Sequence, residues 1–238
     1  MASSEEFWNR VFREAQSRPS DPHDSVLGAA LEHFDGNVAR CRLLDLGTGL
    51  GEASLFFAAR GASVVSVDTS DVAVSNLSAY CVANKIANVT PMQMNAAEIA
   101  NIGTFDFIFG SMILHHIEPF EEFAAILRDA LRPEGKAFFY ENSAMSSLLI
   151  WLREHVVGRL GISKYGDEEE FPLTLGEVQT LSKYFDTEVV YPELLFFRLI
   201  PTYIFRGRGE RPFRLLDDLF YRVPRFRQYS YRQYILLS

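Results

Sequence analysis

The sequence predicts a three-layer α/β fold, a mostly parallel sheet with helices on both faces. Three observations predict it. Short apolar runs alternate with helix-period segments between residues 42 and 140. A glycine-rich turn stands between the first apolar run and the first of those helices. The composition, 48% hydrophobic and 23% charged over 238 residues, suffices for a sizeable core.

The elements follow in order. Residues 1–40 read as a helical N-terminal extension. Phe7, Trp8, Val11 and Phe12 share one helical face, and Pro19 to Pro22 break the helix. Asp24 or Ser25 caps a second helix ending near Gly36. Strands are expected at 42–46, 63–67, 89–94, 105–109 and 136–140. Helices are expected between them at 51–60, 72–84 (with Asp71 as N-cap) and 118–131, the last opened by acids and closed by Arg128 and Arg132 as the helix dipole favours. Past 142 come a helix at 145–160, an acidic loop at 165–172, and a helix at 174–184 whose Thr174 and Glu177 have capping-box spacing. Strands at 188–198 and 229–237 flank a helix at 213–221.

Bulk properties exclude some functions. A net charge of −8 argues against a general nucleic-acid binder, because phosphate binding needs clustered Lys and Arg. The charge is uneven: residues 198–238 hold nine arginines, no lysine and three acids, leaving a +6 tail on a −14 body. Interleaved with aromatics, that tail is open to three uses: a packed cap, a lid over a partly apolar small molecule, or peripheral contact with anionic lipid headgroups. Two cysteines, Cys41 and Cys81, make neither a metal set nor a disulfide framework, which fits a reducing cytosol. Met1-Ala-Ser-Ser-Glu-Glu lacks the basic and apolar regions of a leader, and no run is long enough to cross a membrane, so a cytoplasmic location is expected.

In a parallel α/β sheet the chemistry sits just past the strands' carboxyl ends. After the first expected strand comes Leu43-Leu-Asp-Leu-Gly-Thr-Gly-Leu-Gly51, whose glycines permit a tight turn and close ligand approach. A dinucleotide fingerprint fits poorly. Counted from Gly47 the sixth position is Glu52, and the acids Asp45 and Glu52 would repel a pyrophosphate. They suit a ligand bearing ammonium and sulfonium charges. The second strand ends at Asp68, placed to receive ribose hydroxyls, and the third at Asn95-Ala-Ala-Glu98, where an amide can read an adenine edge or cap a helix.

These motifs, with Phe105-Asp-Phe-Ile-Phe-Gly-Ser and Leu-His-His-Ile after it, resemble class I S-adenosylmethionine (SAM)-dependent methyltransferases over residues 40–142. The resemblance implies a Rossmann-like seven-stranded sheet closed by an antiparallel strand pair, a SAM-binding domain over 41–238, and substrate-side elements in 142–238. It implies SAM as cofactor and S-adenosylhomocysteine (SAH) as product. It places Asp45, Gly47, Thr48, Gly49, Gly51, Asp68, Thr69, Asn95, Ala96 and Ser111 at the cofactor, Asn95 standing where the family more often has Asp. For the chemistry, His115, His116 and Glu141 are the candidates, since histidine titrates near neutrality. The family's metal-dependent O-methyltransferases carry acids after strands four and five. Ser111 breaks that set, so Glu141-Asn142 are not expected to hold a metal. The expected activity is methyl transfer to a small molecule, with oxygen favoured. Still open are a SAM-binding protein that does not methylate (a pseudoenzyme, cyclase or decarboxylase) and a methyltransferase acting on a lipid or macromolecule.

Overall fold

The computed structural model describes residues 4–155, 171–204 and 208–238. Element order is α1 (Ser4–Arg13), α2 (Ser25–His33), β1 (Arg42–Leu46), α3 (Glu52–Ala58), β2 (Ser63–Asp68), α4 (Asp71–Ala83), β3 (Val89–Gln93), β4 (Phe105–Ser111), α5 (Phe120–Ala130), β5 (Leu131–Asn142), α6 (Ser147–His155), α7 (Leu175–Leu181), β6 (Thr187–Val190), α8 (Leu199–Ile204), α9 (Glu210–Tyr221), α10 (Pro224–Arg227) and β7 (Arg232–Leu237). Short 3-10 turns at Ala96–Ile102 and Leu114–His116 follow β3 and β4. Among the described residues no helix is long and apolar enough to cross a membrane.

The seven strands form one sheet in the order β3-β2-β1-β4-β5-β7-β6. The first five run parallel, and β7 lies antiparallel between β5 and β6. The Rossmann-like expectation holds, including the late antiparallel pair. Because side chains alternate along a strand, each strand feeds two cores. Leu44, Ile108 and Phe139 pack under α5 and α7. Leu43, Phe107, Phe109 and Phe138 pack under α2, α3 and α4, where Phe34 stacks on Phe107 at 4.6 Å.

Capping chemistry sets several ends. Asp24 accepts from the N–H groups of Val26 and Leu27 to start α2, and Thr174 with Glu177 forms the expected capping box. For α4 the cap is Ser70, whose hydroxyl accepts from Ala73 N, not Asp71. The expected strand at 188–198 is largely corrected: β6 stops at Val190. Beyond it the N–H groups of Phe196, Phe197 and Arg198 turn onto the buried Asp217 carboxylate of α9, at 3.2, 2.8 and 3.1 Å, and so are lost to any sheet ladder. Arg198 also pairs with that carboxylate and with Glu193. The expected helix at 145–160 is seen as α6, and residues 156–170, with most of the acidic loop, lie outside the described residues. Of the basic tail, Arg198 is absorbed into packing, whereas α9 leaves Leu215 and Leu219 exposed beside Arg211 and Arg214. Both cysteines are free thiols.

Asp217 ties α9 to the segment 196–198, two parts of the chain that the sheet alone does not connect. Replacing it takes one of two carboxylate partners from the partly buried Arg198 and leaves three amide donors without their acceptor. Asp217→Ala is expected to lower unfolding free energy by about 3–5 kcal/mol, read by urea denaturation; a loss below about 1 kcal/mol would show that the carboxylate is dispensable.

Candidate functional site

A cavity of about 400 Å³ opens at the carboxyl ends of β1 to β4. Its wall includes Gly47, Gly49, Asp68, Thr69, Asn95 and Ala96 from the first three strand ends, and Ser111, Met112, Ile113 and His116 from the loop after β4. Trp8 and Phe12 of α1 complete it from the N-terminal extension. The helix is tied down there: Asn76 Nδ2 donates to Phe12 O at 2.9 Å, and Ser70 Oγ donates to Asn9 Oδ1.

The glycine loop is shaped from beneath. Asp45, 2% exposed, accepts hydrogen bonds from Thr48 Oγ1 at 2.9 Å and from Ser54 Oγ, which also touches Ser66 Oγ. Burial pushes the Asp45 carboxyl up to about 6, against the pull of those hydroxyls. Gly47, Gly49 and Gly51 all take positive φ. A Cβ at Gly47 would stand 2.9 Å from Ile113 Cδ1, and one at Gly51 would stand 2.5 Å from Leu77 Cδ1. Asp45, Thr48 and Gly51 therefore support the loop from inside the protein and do not line the cavity, a correction to the contact set expected from the sequence.

Asp68 does face the cavity. One carboxylate oxygen accepts from Gly49 N and the other from Ser70 N, both at 2.9 Å, which joins the end of β2 to the glycine loop. Burial pushes its carboxyl upward. Asn95 caps the turn after β3 from a place on the cavity wall. It lines the cavity, and its Oδ1 accepts from Ala97 N while Glu98 accepts from Asn95 N, a complete capping box. Thr69 is positioned partly through its carbonyl, which accepts from Gln93 Nε2 at 3.1 Å.

The three residues expected to do chemistry separate. Glu141 is fully buried. Its Oε1 accepts from Ile113 N and Leu114 N at 2.8 and 2.7 Å, and its Oε2 lies 2.7 Å from His115 Nδ1. The side chain of His115 is 4% exposed. Glu141 and His115 are thus a brace inside the fold, with every close polar contact spent on the loop after β4. His116 alone of the three reaches the cavity, its ring edge-on to Trp8 at 6.1 Å. The brace lets Met112 take a left-handed φ of 54° and holds Ile113 against Gly47 and Gly110.

Sequence reasoning missed Met112 and Arg232. Arg232 Nη1, on β7, donates to Asn142 Oδ1 at 2.7 Å and touches Met112 Sδ at 3.3 Å, with its guanidinium over the Tyr140 ring. Nothing in the arginine-rich tail distinguishes this arginine from its eight neighbours; only the β5–β7 register brings it to the site.

The cavity fits the cofactor that the motifs imply. Its charged lining consists of the acids Asp68 and Glu118, with no lysine or arginine among the described residues, which favours a cationic ligand and opposes a pyrophosphate. Asp68 and Asn95 would hold the ribose and adenine, and Gly47 and Gly49 leave room for the amino-acid part.

Two outcomes follow from these carboxyl groups. Asp68→Ala removes both an acceptor for ligand hydroxyls and the tie to Gly49, so affinity for SAH is expected to fall at least about tenfold, the equivalent of about 1.4 kcal/mol, by calorimetric titration; unchanged affinity would refute the assignment. For Asp45, whose folded pKa is raised, the proton is bound more tightly in the folded chain. Its contribution to stability is full below the ordinary carboxylate range and is lost as pH rises through about 6. Asp45→Asn is expected to remove that part of the pH dependence between pH 4 and 6, as read from denaturation midpoints relative to the parent chain.

Comparison with known proteins agrees with this geometry. A family model described as a methyltransferase domain matches residues 8–170. A ubiquinone biosynthesis O-methyltransferase of Rickettsia conorii is 24% identical over 189 residues, 77% of this chain and 62% of that protein, so the chain spans less than two thirds of that relative's length. Among solved structures, phosphoethanolamine N-methyltransferase 2 of Haemonchus contortus, in complex with S-adenosyl-L-methionine, aligns with a TM-score of 0.63 at 16% identity, over 100% of this chain and 59% of that one. The [4+2]-cyclase SpnF aligns with a TM-score of 0.61 at 14% identity, over 99% and 96%. Likeness of fold alone spans different chemistries. The family match covers more than half of the sequence and includes the glycine loop, Asp68, Asn95 and the His115-His116 turn, and the chain belongs to the class I SAM-dependent methyltransferases.

Proposed function

We propose that this methyltransferase acts on a hydroxyl oxygen of a small, partly apolar acceptor. The observation that carries the proposal is the position of His116, the one titratable ring on the cavity wall among the described residues, carried by the loop that Glu141 fixes. The similarity to a ubiquinone biosynthesis O-methyltransferase supports oxygen as the acceptor atom.

When bound, SAM supplies a methyl group already activated on a sulfonium. What remains for the protein is alignment and removal of the acceptor's proton. A neutral hydroxyl is a weak nucleophile, and an imidazole is a side chain suited to take its proton. His116 is the proposed proton acceptor. Trp8 shields its ring from one side. Arg232 and Asn142 are proposed to orient the oxygen-bearing end of the acceptor, Arg232 through its contact with Met112 at the cavity wall. Asp68, Asn95 and the glycine loop hold the cofactor.

His116→Ala is expected to lower kcat about 100- to 10,000-fold, with a much smaller change in SAH affinity. The assay is transfer of labelled methyl from SAM to a panel of phenols, catechols and amines. Label found only on amines would refute oxygen as the acceptor, and an unchanged kcat would refute His116 as the base.

A further inference from the structure

A second cavity, of about 270 Å³, lies outside the cofactor site. It is enclosed by the start of α6, the segment following β6, and α9 with α10. Leu194, Phe196, Phe197, Phe220 and Phe226 form most of its lining, and the short Ser146 and Ser147 supply little polarity. The volume is close to the low end for small-molecule sites, roughly 300 Å³. Its wall is built. The buried Asp217 carboxylate pins the backbone of Phe196 and Phe197, Tyr221 Oη donates to Tyr191 O at 2.8 Å, and Phe220 meets Phe226 edge-on at 5.1 Å. The mouth is at Leu148 and Tyr229, 53% and 41% exposed although they line the cavity.

The turn that leads into β7 links the cavity to the loop after β4. Tyr229 lines it, and three residues on, Arg232 touches Met112 of the cofactor cavity. Three residues, even fully extended, span at most about 10 Å. Between them Ser230 Oγ accepts from both Leu195 N and Arg232 N, at 3.1 and 3.2 Å, and Tyr231 O accepts from Ser143 N at 3.0 Å. One set of hydrogen bonds thus fixes the aromatic wall and the arginine relative to each other. Among the described residues no carboxylate pairs with Arg232. A cation three residues along the chain from an apolar cavity matches an amphiphile whose polar end and hydrocarbon end lie within about 10 Å of each other.

We propose that this cavity seats the hydrocarbon portion of the methyl acceptor, with the acceptor's oxygen-bearing end beside Arg232 and His116. The assignment rests on the methyl-transfer reading and specifies the acceptor as an amphiphile, a polar hydroxylated head joined to an alkyl or alkenyl chain. The buried chain supplies binding energy remote from the reacting oxygen.

The test uses phenol and its para-ethyl, para-butyl and para-hexyl derivatives, titrated calorimetrically into the full-length protein with and without SAH. The dissociation constant is expected to fall about fourfold for each methylene added, until the cavity is filled. Ser147→Trp, at the exposed cavity rim, places an indole in the space without disturbing the core. It is expected to flatten the series while leaving SAH affinity unchanged. A flat series in the parent chain, with SAH binding intact, would overturn this proposal alone. So would a slope that persists in Ser147→Trp. A slope with no SAH binding would refute the methyl-transfer reading and with it the identity of the occupant.

Discussion

The site depends first on one buried carboxylate. Glu141 sits at the end of β5 with no exposure, and it gathers two amide donors and an imidazole from the loop after β4, the strand that pairs directly with β1 beside the glycine turn. Leaving such a charge without partners in the interior is costly, so the loop has little freedom to take another path. That path brings Ile113 over Gly47 and Gly110, which explains why neither position has room for a side chain. It also decides which histidine of the pair faces the cavity. His115 is consumed by the brace, and His116 is turned outward toward Trp8.

A parallel device operates under the glycine loop. Asp45, Thr48, Ser54 and Ser66 form a closed group of hydroxyls around one carboxyl. Asp68 repeats the pattern at the surface, with its two oxygens on Gly49 and Ser70. Acids at the carboxyl ends of β1 and β2 thus divide the work, the inner one setting the turn and the outer one facing the cavity. Buried, hydrogen-bonded groups of this kind are more rigid than a loop held by apolar contact alone.

Much of this was legible in the sequence. Period and glycine placement located β1 to β5 and their crossover helices, because each buried parallel strand must be a short apolar run bounded by turn residues. Asp68 and Asn95 were identified from their positions at strand ends. What the linear pattern could not distinguish was whether a polar residue at a strand end points into the cavity or under it; Asp45, His115 and Glu141 all point under it. Residues 191–198 are apolar and aromatic enough to read as strand, but the amides of 196–198 belong to Asp217, a partner about twenty positions away. Arg232 was hidden for the same reason, since its role comes entirely from long-range pairing.

The strand order has a temporal meaning. Strands β1 to β5, with the helices that cover them, contain nearly all of the cofactor pocket and can pair as they leave the ribosome, early segments first. Strand β6 cannot join them, because its neighbour in the sheet is β7, the last strand in chain order. Until residues 232–237 are in place, β5 has a bare edge and Arg232 has not reached Met112. A nascent chain therefore assembles the cavity at the ends of β1 to β4 well before Arg232 is set against Met112, which waits for the insertion of a six-residue strand between β5 and β6.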